Sequence, residues 1–80
     1  EDLFATLAKD TSESVRACVA RNETAPDNVL RLLADDPSER VRGFIVVNFS
    51  EPADVMQRLA EDQSETVRSL VRWLGTLANA

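Results

Sequence analysis

The sequence predicts an all-α protein built from stacked pairs of short helices, without a β-sheet. Three observations favour this fold class: a block of residues recurs every 26 positions, helix-start patterns recur at the same interval, and the apolar residues after them are spaced i, i+3, i+4 and i+7. The 80 residues, 44% hydrophobic and 29% charged, are typical of one small ordered domain with a thin core.

The recurring block keeps Leu-Ala, Asp, Ser-Glu and Val-Arg at constant spacing in residues 7–16, 33–42 and 59–68. We therefore predict a single domain over residues 1–80, with units at about 1–22, 23–48 and 49–74 and a C-terminal tail at 75–80. This division suggests a fragment of a longer array. Leu74 and Gly75 depart from the pattern, so a C-terminal cap is the alternative, because terminal repeats are usually atypical.

The first helix of each unit is expected to begin near Thr24 or Ser50, with Pro26 or Pro52 inside its first turn. At about ten residues it is marginal in isolation, so packing against its neighbours must stabilise it. Its shared apolar positions are Leu3, Phe4, Leu7, Ala8; Val29, Leu30, Leu33, Ala34; and Val55, Met56, Leu59, Ala60.

The second helix of each unit follows an aspartate with a glutamate three positions later, which predicts an aspartate N-cap with a capping-box glutamate. Pro37 would then occupy the first helical position. The expected inward stripes are Val15, Cys18, Val19, Asn22; Val41, Phe44, Ile45, Asn48; and Val67, Leu70, Val71, Leu74. Residues 44–47 alone would favour a strand, but their equivalents in the other units do not, so a helix is predicted.

The pattern Pro-x-x-Val-Leu-x-x-Leu-Ala-x-Asp-x-Ser-Glu-x-Val-Arg-x-x-Val-Ala-x-Asn runs from Pro26 to Asn48, with Ile45 and Val46 in the Val-Ala positions. It resembles the leucine-rich repeat variant family over nearly the whole chain. The resemblance implies HEAT-like units that stack into a right-handed superhelix and bind other macromolecules. Some relatives hold an iron–sulfur centre, but the single Cys18 cannot supply four thiolates, so no cofactor is expected.

The sequence offers little for catalysis or metal binding. It has no histidine or tyrosine, one cysteine, one lysine and no glycine-rich phosphate loop, so we expect neither an enzyme nor a metal site. Cys18 lies on the inward stripe and is interpreted as a small core residue. The lone cysteine and the lack of an apolar segment of bilayer length indicate a soluble protein in a reducing, cytoplasmic compartment.

Two sets of polar residues recur at equivalent positions. Arginines at these positions could bond the inter-helix loops and the recurring aspartates, or could form a basic stripe for phosphates, which the net charge of −5 disfavours. The asparagines are expected to bond carbonyls at helix ends rather than a ligand. This predicted structural ladder comprises Arg16, Arg42, Arg68, Asp10, Asp36, Asp62, Asn22 and Asn48.

Apolar residues are also predicted on the outer side of the second helices, at Val46, Val47 and Trp73. The candidate interaction surface is Arg21, Val47, Trp73 and Arg72, since tryptophan and arginine often anchor interfaces. The alternative is that Val47 and Trp73 only cover the core. The sequence therefore predicts a non-enzymatic scaffold for a protein partner; nucleic-acid binding, a spacer role and self-association through the array ends remain open.

Overall fold

The computed structural model describes residues 3–48 and 52–78, and this part of the chain contains six helices and no strand. The predicted all-α class is confirmed. The helices are α1 (Leu3–Leu7), α2 (Glu13–Arg21), α3 (Asp27–Leu33), α4 (Glu39–Val46), α5 (Ala53–Leu59) and α6 (Glu65–Ala78).

The even-numbered helices α2 and α4 begin after a serine, not after the aspartate that was predicted as their N-cap. The hydroxyl oxygen of Ser38 accepts the N–H of Val41 at 3.3 Å, and Ser12 caps α2 in the same way. Asp36 lies one step earlier and accepts the N–H of Ser38 at 2.9 Å. The aspartate prediction is therefore wrong, and Pro37 precedes the N-cap instead of opening the helix.

The odd-numbered helices α3 and α5 begin later than predicted. Pro26 and Pro52 are their N-caps, in extended backbone, and each helix has seven residues, fewer than expected. Thr24 does not start α3: it lies two positions before the N-cap Pro26, and its hydroxyl donates to Oδ1 of Asn22 at 2.7 Å. The predicted start at Ser50 lies outside the described residues.

The even-numbered helices pack in a row, with α4 between α2 and α6, and each odd-numbered helix packs against the even-numbered helix that follows it. Additional contacts join α2 to α3 and α4 to α5. Since most of these helices are too short to be stable alone, burial of their shared apolar residues must hold them together. The most deeply buried side chains are Leu30, Leu33, Ile45, Leu59, Val41, Val46, Val55 and Val67.

The burial predictions for Val46, Cys18 and Asn22 are wrong, and Asn22 is exposed although it was placed on the inward stripe. Val46 was placed on the outside but is only 1% exposed, because α4 is covered by neighbours on both sides and buries a wider arc than one stripe. Cys18 was placed in the core but is exposed. Its equivalents in α4 and α6 have a preceding even-numbered helix to pack against, whereas α2 is the first even-numbered helix among the described residues.

The last helix also differs from expectation. Residues 75–78, predicted to form a tail, continue α6 to Ala78, so that α6 has 14 residues against 9 in α2 and 8 in α4. Asn22 and Asn48 follow the ends of α2 and α4, whereas Leu74 stands at the equivalent point of α6. A leucine favours the helix, and an asparagine competes for backbone bonds and favours its end.

Candidate interaction surface

Two of the three predicted ladder arginines, Arg16 and Arg42, bond an aspartate of the following unit, whereas Arg68 pairs with Glu65 of its own helix. Nε and Nη2 of Arg16 donate to the two carboxylate oxygens of Asp36 at 2.7 and 3.3 Å. Arg42 makes the same pair of bonds to Asp62 at 2.8 and 3.1 Å. Two parallel bonds use the planar fork of the guanidinium fully. The hydrogen bond to Asp36 also raises the pKa of Arg16 above its ordinary value.

The remaining terminal nitrogen of each arginine faces the loop of its own unit. Nη1 donates to the backbone carbonyl of the aspartate six positions earlier. The distances are 2.9 Å for Arg16, 2.6 Å for Arg42 and 2.6 Å for Arg68. These pairs are Arg16–Asp10, Arg42–Asp36 and Arg68–Asp62. Arg16 and Arg42 thus donate from Nε and both terminal nitrogens to protein oxygens, and Arg42, 5% exposed, is buried. Little of this positive charge faces solvent.

The two asparagines of the ladder have different surroundings. Asn48 is 4% exposed, and its Nδ2 donates to the carbonyls of Ala20 and Asn22 at 2.7 and 3.1 Å. It therefore bonds the carbonyls at the end of α2, in the preceding unit. Asn22 is exposed, and its Oδ1 accepts the N–H and the hydroxyl of Thr24 instead.

Five more ion pairs lie at the surface. Arg31 pairs with Asp54 and lowers the pKa of that carboxyl, mainly through their hydrogen bond. The other four pairs are Arg40–Glu13, Arg58–Asp35, Arg68–Glu65 and Arg72–Glu65. In residues 3–48 and 52–78, Arg21 is the one arginine that forms no ion pair.

A groove of about 430 Å³ opens between α4 and α6, and we call it the Phe44 groove. Its lining residues are Glu39, Arg40, Gly43, Phe44, Val47, Thr66 and Leu70. Gly43 permits the close approach of the two helices, since a Cβ built there would lie 3.3 Å from Cδ1 of Leu70. The groove is therefore open on the outside and apolar at its centre.

Two guanidinium groups lie over the Phe44 ring. Cζ of Arg21 is 5.3 Å and Cζ of Arg40 is 5.6 Å from the ring centroid. Both distances fall in the range of cation–π attraction, which contributes about 0.5–1 kcal/mol at exposed sites. Arg40 also pairs with Glu13, whereas Arg21 keeps an uncompensated charge beside the groove.

The predicted surface residues are only partly brought together. Val47 lines the Phe44 groove, and Arg21 reaches it through the Phe44 ring. Trp73, 54% exposed, lies on α6 one turn after the groove residue Leu70. Arg72 is exposed but donates to Glu65 and Ser69, so its positive charge is paired with the Glu65 carboxylate.

Phe44 was not predicted as a surface residue, because its place on the inward stripe assigned it to the core. It is half-buried at the floor of the groove. Arg40 lies four positions before Phe44, on the same face of the helix. A charged residue at this spacing could have indicated that Phe44 lies near the surface. Arg21, at the position equivalent to Val47, is the second indication.

Protein-family models, curated proteins and solved structures were all compared with the chain, and none matches it. None of the described helices is long and apolar enough to cross a bilayer. The described residues also contain no group of histidine, cysteine or acidic side chains that could hold a metal ion.

Proposed function

We propose that the protein is a non-enzymatic interaction scaffold whose Phe44 groove, together with Arg21 and Trp73, binds a segment of a protein partner. The observation that carries this proposal is an open apolar groove next to an arginine without an ion pair and a half-exposed tryptophan. Aromatic residues and arginine dominate the binding energy of many interfaces, because they combine large contact area with directed hydrogen bonds.

The architecture that we propose is a solenoid of three two-helix units with the right-handed superhelix of the leucine-rich repeat variant family. Two observations support it. The sequence pattern recurs every 26 residues, and the Arg16–Asp36 bonds recur at the same interval between Arg42 and Asp62. In such an array the even-numbered helices present one extended surface. The cytoplasm remains the proposed location, on the basis of the lone cysteine.

The groove favours a partner segment with an apolar side chain next to a carboxylate. The apolar side chain would fill the space between Phe44, Val47 and Leu70. A neighbouring carboxylate would pair with Arg21, which forms no ion pair with any described residue. We do not propose nucleic-acid binding, since Arg16 and Arg42 are bonded to aspartates and phosphate binding depends on uncompensated positive charge.

The test is selection of binding peptides from a random library with the full chain, followed by fluorescence anisotropy. We expect the selected peptides to combine an apolar residue with Asp or Glu. Val47→Ser, Trp73→Ala and Arg21→Gln should each weaken binding about tenfold or more, because each removes an anchor of the surface. Circular dichroism should show unchanged helix content.

The matched controls are Leu32→Ala and Arg31→Gln, which change an exposed leucine and an exposed arginine on α3. Neither should alter peptide affinity. Peptides that bind all five variants equally, or a labelled oligonucleotide that binds with a steep salt dependence, would refute the proposal. Loss of helix content in the Val47 or Trp73 variant would assign those residues to the core.

A further inference from the structure

The two ends of the row of even-numbered helices differ in chemistry. Some side chains in and around α4 and α6 are buried against the preceding even-numbered helix. The equivalent side chains in and around α2 are more exposed, because no described helix packs on that side. Asn48 is buried while Asn22 is exposed, and Val41 is fully buried while Val15 is half-buried. Cys18 is exposed at the position of Phe44. The α2 end therefore retains packing residues that nothing described in the chain covers.

Asp10 is the clearest of these residues. Its equivalent Asp36 accepts the bidentate bonds of Arg16 and the N–H of Ser38. The carboxylate of Asp10 accepts the corresponding N–H of Ser12 at 2.8 Å but, within residues 3–48 and 52–78, pairs with no arginine. The α2 end thus presents half of the Arg–Asp pair that joins the units elsewhere.

The α6 end departs from the packing pattern. Gly43 and Val46 form the face of α4 that meets α6, and the equivalent Ala17 and Ala20 of α2 are buried. In α6 these two positions are Ser69 and Arg72.

Both of these α6 side chains are bonded within their own helix. Ser69 donates to Glu65 at 3.0 Å, and Arg72 donates to Glu65 and Ser69 at 3.1 and 3.0 Å. Covering this face would bury a charged network where α2 and α4 have small or apolar residues, which is costly.

The backbone of α6 differs as well. The carbonyl of Ala20 accepts the side chain of Asn48, whereas the equivalent carbonyl of Arg72 accepts the hydroxyl of Thr76 at 3.0 Å because α6 continues. The α5 side of the same end stays apolar: Met56 and Ala60 are more exposed than their buried equivalents Leu30 and Ala34. The obstacle to stacking at this end therefore lies on α6.

We propose that the α2 end is an open stacking face that accepts another unit of the same 26-residue repeat, and that α6 closes the opposite end. The accepted unit carries an arginine for Asp10, a glycine or alanine opposite Cys18, and free helix-end carbonyls for Asn22. A second copy of this chain does not qualify, because its α6 presents Ser69 and Arg72. The wild-type chain accordingly does not stack end to end.

The experiment gives α6 the residues that α4 has at the equivalent positions. The full chain carries Ser69→Gly, Arg72→Val and Leu74→Asn. The last change places an asparagine before Gly75, a pair that favours the end of a helix. Sedimentation velocity should show a monomeric wild type and concentration-dependent oligomers of the triple variant, with Arg68 of one copy paired to Asp10 of the next. Helix content by circular dichroism checks that the variant folds.

Asp10→Asn in the triple variant is the matched control, since it keeps an acceptor for Ser12 and removes only the charge. It should weaken the self-association about tenfold, as expected for loss of an interfacial ion pair. Three results would overturn the proposal. The triple variant could fold but stay monomeric, its oligomers could be unaffected by Asp10→Asn, or the wild type could itself form end-to-end oligomers. If the triple variant unfolds, Arg72→Val alone provides the same comparison.

Discussion

Residues at equivalent positions of the repeat acquire different roles because they have different neighbours. Arg42 has neighbours on both sides and is buried, with Asp62 and the carbonyl of Asp36 as its partners. Arg31 forms an equally direct ion pair with Asp54, but both side chains are about half exposed, at 49% and 60%. Water competes with the exposed pair and not with the buried one, so their contributions to stability must differ.

Arg42→Ala should lower the free energy of unfolding by about 3–5 kcal/mol, because it leaves the carboxylate of Asp62 buried without its partner. Arg42→Lys keeps the charge but loses the two parallel bonds, and we expect a loss of about 1–3 kcal/mol. Urea unfolding followed by circular dichroism measures both. Arg31→Ala is the control and should leave the unfolding midpoint unchanged; equal losses at the two sites would contradict the role given to burial.

At the scale of the element, helix ends are determined by a few hydrogen bonds. Ser12 and Ser38 start α2 and α4 with their hydroxyl oxygens, and Ser64 accepts the N–H of Val67 at the start of α6. Glu65 then begins α6 and accepts bonds from three side chains of the same helix. These bonds, first that of Arg68 and then those of Ser69 and Arg72, lower the pKa of Glu65 below its ordinary value of 4.5.

This lowered pKa makes the contribution of Glu65 depend on pH. A carboxyl group whose pKa is lower in the folded protein stabilises it at pH values above the unfolded pKa, and the effect is lost as the pH falls through the folded pKa. Wild type should therefore be more stable than Glu65→Gln at neutral pH, and the difference should shrink below pH 4.5. Thermal unfolding of both proteins across this range measures it, with Glu61→Gln as the exposed control. A difference that is constant with pH would contradict the assignment.

For the whole molecule, position in the row determines how well each helix is held. The helix α4 contacts α2 and α6 and buries Val41, Arg42, Ile45 and Val46. The helix α1 contains no buried residue, and Leu3 is 66% exposed. Phe4, Ala5 and Leu7 are only partly buried against the core, so opening of α1 exposes less apolar surface than opening of α4, which disrupts packing on both sides.

Amide hydrogen exchange should reflect this gradient. We expect the amides of α4 to exchange only through global unfolding, and those of α1 to exchange through local opening at a much lower free energy. Mass spectrometry of peptic fragments, or NMR, measures the rates. Removing core volume with Leu30→Ala should accelerate exchange in α4 but leave α1 at its already fast rate. If the amides of α1 were as protected from exchange as those of α4, the number of neighbouring helices would not determine the local stability of each helix.

Much of the local structure was predictable, because it depends on residues near one another in the chain. The apolar spacing placed six helices and most of the core, including Leu30, Leu33 and Ile45. The errors at helix starts have a local cause: aspartate and serine two positions apart both fit an N-cap, and the sequence pattern does not tell which hydroxyl or carboxylate faces the free N–H groups. In the described structure Asp36 instead bonds Arg16, 20 positions away.

The sequence by itself determined the all-α class, the 26-residue period and the positions where arginine, aspartate and asparagine recur, since these follow from spacing and residue type alone. Only the tertiary structure decided that Cys18 is exposed, that Val46 is buried and that Phe44 forms the floor of a groove. The physical reason is that a side chain is buried only where a second surface covers it. Equivalent side chains on α2 and α4 differ because even-numbered helices lie on both sides of α4, whereas none of the described even-numbered helices precedes α2.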